Sequence, residues 1–412
     1  MASTTAVEGG GVRSGALLTL VLCFCTTLIE GIDLQSMGLA APKLGPEFHF
    51  HPDQMTLILA ASPIGLFLGA FIGGRLADAF GRKGALITAM LVFGVFQLAT
   101  CWAPGYESLL VIRFLCGLGL GGALPNLIAL TAEASGGKNS ILNVVVTAAG
   151  MPTGGALASY IAFLGGAGGD WRVIFYIGGI APLVLAPVMA LALPESRMFK
   201  AARAALAAGG EKVRINTLQV LFGGSRAATT LLLWVSFLFT TLVTYLLLNW
   251  LPTLMVAKGF SKTDAFFLQI FFNAGSVGGS IFLGWLMQRR PIRTILLVCY
   301  VGVAASLFGL MYVGKDLALA AVGEAVIGGF LLGAQYILYG LTPSFYRTET
   351  RGTGTGAAVA AGRLGSAVGP LLGGILLGSG HNYTGVLQSL LPVTGVAAVT
   401  AILLVFRPRA AE

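Results

Sequence analysis

Apolar residues along this chain run in unbroken blocks of about twenty, separated by short polar turns, rather than alternating or marking one face of a helix. A helix rising about 1.5 Å per residue needs about twenty such residues to cross 30 Å of hydrocarbon. Twelve blocks qualify, at 16–42, 54–77, 84–103, 107–132, 141–165, 172–193, 227–256, 264–288, 292–313, 317–342, 353–378 and 385–406. The first, behind Arg13, has the look of a signal peptide, but no clear cleavage pattern follows and eleven further blocks do, so it is read as a span. The pattern predicts an all-α membrane protein with twelve transmembrane helices. The one long polar connection divides it. The predicted organisation is a flexible cytoplasmic N-terminus (1–15), a six-helix half (16–193), a cytoplasmic central loop (194–226), a second six-helix half (227–406) and a cytoplasmic tail (407–412).

Composition agrees and narrows the choice. Hydrophobic residues make up 56% of the 412 residues and charged residues 10%, against about 25% charged in a soluble domain. The net charge of +9 is unevenly placed. Arg75, Arg82, Lys83, Lys138, Arg289, Arg290, Arg293, Arg347, Arg351, the bases of the central loop and those near both termini fall on one side of the predicted spans. Only Lys43, Arg172, Lys258, Lys262 and Lys315 fall on the other. The basic side is cytoplasmic by the positive-inside rule, which puts both termini there. The charge is thus a topology signal, with attraction to anionic lipid heads as its by-product, and nothing points to nucleic acid. Cys23, Cys25, Cys101, Cys116 and Cys299 lie in or beside apolar blocks without metal-site spacing, and His49, His51 and His381 lie in loops, so no metal is assigned. No nucleophile–base set, phosphate loop or cofactor motif is present, and the chain is not read as an enzyme.

The two halves repeat. One constant offset pairs Gly117 with Gly328, Leu120 with Leu331, Gly122 with Gly333, Ala123 with Ala334, Leu127 with Leu338, Leu130 with Leu341 and Thr131 with Thr342. It joins the fourth span to the tenth. It also lays Arg113 on Glu324, opposite charges at equivalent depths. Two parallel six-helix halves are the arrangement of a transporter that rocks about a site near the membrane midplane.

The turn after the second span reads Gly74-Arg75-Leu76-Ala77-Asp78-Ala79-Phe80-Gly81-Arg82-Lys83. It resembles the signature of the major facilitator superfamily. The corresponding turn of the second half, Gly284-Trp285-Leu286-Met287-Gln288-Arg289-Arg290-Pro291, has Gln288 where the acid would be. Glu30-Gly31-Ile32-Asp33 in the first span resembles the Asp-Gly-x-Asp motif of the aromatic acid:proton symporter branch, with Glu for the first Asp. Arg113 followed by Gly117, Gly119 and Gly121, then Leu124-Pro125-Asn126-Leu127, Pro194-Glu195-Ser196 and Arg351-Gly352-Thr353-Gly354, extend the likeness to its 3-(3-hydroxyphenyl)propionate transporters. Two departures stand out. Lys138-Asn139-Ser140 replaces the Arg-Gly expected after Glu133. The glycine–proline pattern typical of exporters is imperfect in the fifth span (Gly150-Met151-Pro152-Thr153-Gly154-Gly155) and fuller in the eleventh (Gly365, Gly369-Pro370, Gly373-Gly374). The resemblance implies that the first, fourth, seventh and tenth spans line the cavity, that the membrane is the bacterial inner membrane, and that the chain acts as a monomer.

A charge at mid-membrane costs about 2.5–3.5 kcal/mol on insertion scales, so each one within a span needs a reason. Arg113 and Arg363 are the candidates for holding a substrate carboxylate, because a guanidinium matches it as a bidentate fork, with Arg113 placed first. The structural alternative is permanent pairing, Asp33 with Arg113 and Glu324 with Arg363. Asp33, then Glu30, then Glu324 are candidates for proton coupling. Tyr245 and Asn249, one turn apart, and Gln335 and Tyr339, on one face with Glu324, are candidates for a ring hydroxyl and ring stacking; the alternative for each is ordinary interhelical bonding. Asn126, Asn273 and Trp250 are secondary candidates. Asp78, Arg82, Glu133 and Arg351 are assigned to a cytoplasmic gate. The resulting reading is uptake of an aromatic carboxylate with protons, with the proton gradient as energy source and no cofactor. A proton-driven exporter and, less strongly, a membrane sensor of aromatic acids are the alternatives.

Overall fold

The computed structural model describes residues 8–135, 140–166, 168–196, 199–201, 203–204, 217–223, 226–287, 289–346 and 350–408. The helices are α1 (Glu8–Phe48), α2 (Pro52–Phe80), α3 (Arg82–Ala99), α4 (Tyr106–Gly121), α5 (Ala123–Ser135), α6 (Ser140–Gly165) and α7 (Arg172–Ala192). After them come α8 (Thr217–Phe222), α9 (Arg226–Lys258), α10 (Lys262–Leu286), α11 (Ile292–Tyr312), α12 (Leu317–Leu341), α13 (Arg351–Gly378) and α14 (Tyr383–Val405). Among the described residues, ten helices are long and apolar enough to cross a membrane; α6 and the α4–α5 pair supply the remaining two of a twelve-helix fold.

The face opposite the chain termini is called the distal end below, and its turns in the second half are built from caps. Ser261 caps α10 by accepting from the Asp264 amide at 3.0 Å, and Asp264 accepts from the Ser261 amide in return. Asp316 caps α12 on the Leu319 amide, and Asn382 caps α14 on the Gly385 amide. Each satisfies a helix-terminal amide at a sharp reversal.

Helices pair in the same way in each half. In the first, α1 packs on α6, α2 on α4 and α3 on α7; in the second, α9 packs on α13, α10 on α12 and α11 on α14. Across the halves α2 meets α13 and α6 meets α10, while α1 meets α9. Glycine permits the closest approach: a methyl on Gly31 of α1 would overlap the Met151 carbonyl of α6.

The halves are joined unequally. At the distal end one continuous core takes residues from both, among them Met37, Leu44, Met55, Ile58, Trp171, Leu246, Trp250, Leu254, Phe272 and Tyr383. At the end bearing the termini the cores are separate. One, around Phe237, Leu296, Leu338 and Phe345, belongs to the second half. The other, around Leu86, Met90, Phe93, Leu120 and Met189, belongs to the first and, among the described residues, takes in only Tyr245 from across the divide. The molecule is closed at the distal end.

Three boundaries differ from the sequence pattern. α1 continues through Pro42 and Pro46 to Phe48, so Lys43 lies on a helix and not in a loop; apolar packing against the distal core carries the helix past both prolines. The fourth span is broken at Gly122, which is packed against Gly73 of α2. The polar 194–226 connection contains α8, whose Val220 and Leu221 are buried in the second half's core, with Thr230 Oγ1 donating to the Leu221 carbonyl at 2.7 Å.

Candidate functional site

Two arginine–carboxylate pairs lie inside the bundle, and they are built differently. Arg113, from α4, is enclosed (1% exposed). One guanidinium nitrogen donates to Asp33 Oδ1 of α1 at 2.8 Å. The other donates to Gln97 Oε1 of α3 and to Cys116 Sγ. Its guanidinium lies 5.6 Å from the Phe175 ring centroid of α7. Every one of these partners belongs to the first half. Both Nη nitrogens are thus engaged by the first half, while Arg113 Nε and Asp33 Oδ2 have no hydrogen-bond partner among the described residues.

Arg363, from α13, faces the other half. The pairing with Glu324 considered from sequence is not what the structure shows: the carboxylate beside Arg363 is Glu30 of α1, with Nη2 3.6 Å from Oε1. α13 packs against α2 of the first half and α9 of its own, and its Arg363 meets Glu30 rather than Glu324. The Glu30–Arg363 contact is too long for a hydrogen bond, and neither Glu30 oxygen has a hydrogen-bond partner. Arg363 Nη1 donates to the Tyr245 hydroxyl of α9 at 3.4 Å, also a long contact. Tyr339 of α12 lies close enough to interact electrostatically with Arg363, and Tyr336 with Glu30 and both tyrosines. Arg363, Glu30 and three phenols therefore converge where the halves meet. The sequence reading missed Tyr336; its hydroxyl donates across the divide to the Ala148 carbonyl of α6 at 3.4 Å.

The remaining candidates separate. Gln335 accepts from Thr244 Oγ1 of α9 at 3.3 Å, and Tyr339 stacks edge-on against Phe237 at 5.0 Å. Asn249 donates to the Tyr245 carbonyl of its own helix, as Asn126 does to Gly122. Trp250 donates to the Pro370 carbonyl, fastening α9 to α13. Glu324 lies apart from the arginines, buried with no hydrogen-bond partner, and its electrostatic neighbours are Lys258 and Tyr383 near the distal end.

Sequence reasoning also underrated a buried amide cluster. Gln35 Nε2 donates to Asn273 Oδ1 at 2.7 Å, and Gln35 Oε1 accepts from Asn273 Nδ2 at 2.8 Å and from Gln269 Nε2 at 3.1 Å. This joins α1 to α10, and so one half to the other. Gln35 lies five residues beyond Glu30; the signal available in sequence was one more polar residue in an apolar span.

At the end bearing the termini, Arg82 pairs with Glu133, and Ser196 Oγ donates to the same Glu133 oxygen at 2.8 Å. Glu195 Oε1 accepts from the Arg82 and Lys83 amides, capping α3. Gly81 turns the chain there at φ 93°, where a side chain would strain the backbone and overlap Glu195. The side chains of Asp78 and Arg351, also assigned to this gate, lie outside the described residues, as does Lys138.

The helix pairing, the two-half construction and the charged residues between them define a membrane transporter. Residues 23–370 match the Major Facilitator Superfamily, and the chain belongs to that family. Among curated proteins it is 42% identical over 395 residues to the 3-(3-hydroxy-phenyl)propionate transporter of Escherichia coli (strain K12), covering 96% of this chain and 95% of that protein. It is 33% identical over 412 residues to the 4-hydroxybenzoate transporter PcaK of Pseudomonas putida, covering 93% and 91%. In fold it is similar to the partially occluded inward open conformation of the xylose transporter XylE from E. coli, with a TM-score of 0.78, 15% identity and coverage of 96% and 98%.

Proposed function

We propose that the protein imports an aromatic carboxylate of hydroxyphenylpropionate or hydroxybenzoate type, together with protons, across the bacterial inner membrane. The observation that carries this reading is the loose contact between Glu30 and Arg363 across the two halves. The relatives' aromatic-acid substrates support the substrate class. The distribution of basic residues supports a cytoplasmic location for both termini, which makes the distal end periplasmic and the conformation described here closed to the outside.

In this mechanism the substrate carboxylate docks on the Arg363 guanidinium as a bidentate fork, which suits planar anions better than a single long contact to Glu30 does. Glu30 loses its cation in an apolar surrounding and takes a proton from the periplasmic side, so that the anion and the proton enter together. Tyr245 and Tyr339, with Gln335 nearby, offer a ring face and hydroxyl partners for the substrate's aromatic end. Asn249, bonded to its own helix, stands behind Tyr245. With the distal core closed, proton and anion leave toward the cytoplasm, Glu30 returns to Arg363, and the empty carrier reopens outward. Arg113 and Asp33 hold α1, α3 and α4 together through the cycle. Glu30 thereby takes first place among the proton candidates, ahead of Asp33, and Glu324 lies too far toward the distal end to share Arg363.

The test is accumulation of labelled hydroxybenzoates and hydroxyphenylpropionates by cells, with and without a protonophore, for wild type, Glu30→Gln, Asp33→Asn and Arg363→Gln. Protonophore-sensitive accumulation by wild type, lost in Glu30→Gln and Arg363→Gln, is the expected result. Cells that instead exclude an acid would make the protein an exporter.

A further inference from the structure

Outside the central site, the transport reading leaves unused a groove at the distal end. A cavity of about 410 Å³ is floored by Leu39, Ala162, Ile174 and Phe266. It continues into a second of about 540 Å³ between Lys43, Glu47, Asp170 and Lys262. The first is mainly apolar, the second charged, and they share Lys43, Gly169, Asp170 and Trp171. The cavity walls include Leu164, Val173 and Ile177, which are 65%, 42% and 38% exposed. These apolar walls are accessible from outside the bundle, where a membrane protein meets acyl chains.

Its polar mouth has a particular charge pattern. Lys43 and Lys262, one from each half, stand near enough to repel each other electrostatically. Lys43 donates to the Gly169 carbonyl at 2.9 Å and lies 5.3 Å from the Phe266 ring centroid. No hydrogen bond or ion pair of Lys262 to a described residue is present. Of the nearby acids, Glu47 accepts from Trp171 Nε1 and Arg172, and one Asp170 oxygen accepts from the Arg172 amide and guanidinium, while Asp170 also attracts Lys43. Two lysines from opposite halves with Asp170 beside Lys43, at the head of a mainly apolar slot, have the mixed charge that a zwitterionic phospholipid head requires.

We propose that this groove binds one phospholipid of the periplasmic leaflet. Its phosphate sits between Lys43 and Lys262, an amine of its head meets Asp170, and one acyl chain lies along Leu164, Val173 and Ile177. Because Lys262 and Phe266 come from the second half and the rest of the site from the first, the lipid bridges the halves. It holds them together only while the distal end is closed, and so biases the carrier toward the closed-outside conformation.

The experiment is native mass spectrometry of the purified full-length protein in detergent with added palmitoyl-oleoyl phosphatidylethanolamine. Wild type is expected to retain one lipid at collision energies that strip the others. The double variant Lys43→Gln/Lys262→Gln is expected to lose at least tenfold in retained lipid. Ile177→Trp, which fills the slot and keeps the charges, is expected to lose it as well. Lys315→Gln, a distal-end lysine outside the groove, is expected to behave as wild type. Retention unchanged in both the double lysine variant and Ile177→Trp would overturn the proposal. Lysine-dependent binding of 3-(3-hydroxyphenyl)propionate in place of lipid would also overturn it. Neither outcome depends on transport, so failure here is distinguishable from failure of the central-site mechanism.

Discussion

Arg113 and Arg363 are both buried, both from spans that pack near the centre, and both beside an acid of α1, yet they are suited to different tasks. Arg113 makes a 2.8 Å ion pair and two further side-chain bonds, all inside one half. Arg363 reaches across the divide to a carboxylate 3.6 Å away that no other group bonds. A close, hydrogen-bonded pair within one half, even with Asp33 Oδ2 and Arg113 Nε left without partners among the described residues, moves with that half through the rocking motion and holds it together. An under-bonded pair between units changes whenever the units move or an anion arrives. Charge and burial do not separate the two; the number of bonds and the side of the divide on which the partners sit do.

The comparison is broken most strongly at Glu30. Glu30→Gln is expected to abolish protonophore-sensitive accumulation while leaving binding of the aromatic acid to purified protein intact, since Arg363 stays in place; binding by equilibrium dialysis beside cell uptake checks it. Arg113→Met is expected to act on stability instead. Removing one partner of a buried pair leaves an uncompensated charge and costs about 3–5 kcal/mol, so the unfolding temperature in detergent should drop sharply, and Arg113→Met/Asp33→Leu should recover much of it. Arg363→Lys keeps the charge and removes the fork. A charge-assisted hydrogen bond contributes about 1.5–3 kcal/mol, so affinity should fall by about 10–100-fold while the unfolding temperature hardly moves. Gln35→Leu is expected to be the mildest. An interhelical hydrogen bond within a membrane contributes about 0.6 kcal/mol, so the closed-outside population should fall by a few-fold. Electron–electron distance measurements between spin labels at the distal ends of α2 and α9 would show it.

The fold was legible because a hydrocarbon environment leaves a coarse mark: every span needs about twenty apolar residues, and the short turns need caps such as Ser261, Asp316 and Asn382. The ends were less so. Nothing in local hydropathy says that α1 carries Lys43 past Pro42, because the distal core and not the sequence window supports that turn. The charged residues of the site could be named for the same reason they are costly, but their partners could not. The depth of Arg363 suits Glu324 as well as Glu30, and only the crossing of α13 against α2 and α9 decides between them. Tyr336 and the Gln35–Asn273–Gln269 cluster were hidden because a single phenol or amide in an apolar block has no spacing to announce it.

The most direct test of the exchange at Arg363 is to mix purified protein with 3-(3-hydroxyphenyl)propionate or 4-hydroxybenzoate in weakly buffered solution and follow the pH. If the anion displaces Glu30, wild type takes up protons in proportion to the acid bound, and Glu30→Gln binds without taking up any. Proton uptake by Glu30→Gln equal to that of wild type, or binding by wild type with no uptake at all, would contradict the account.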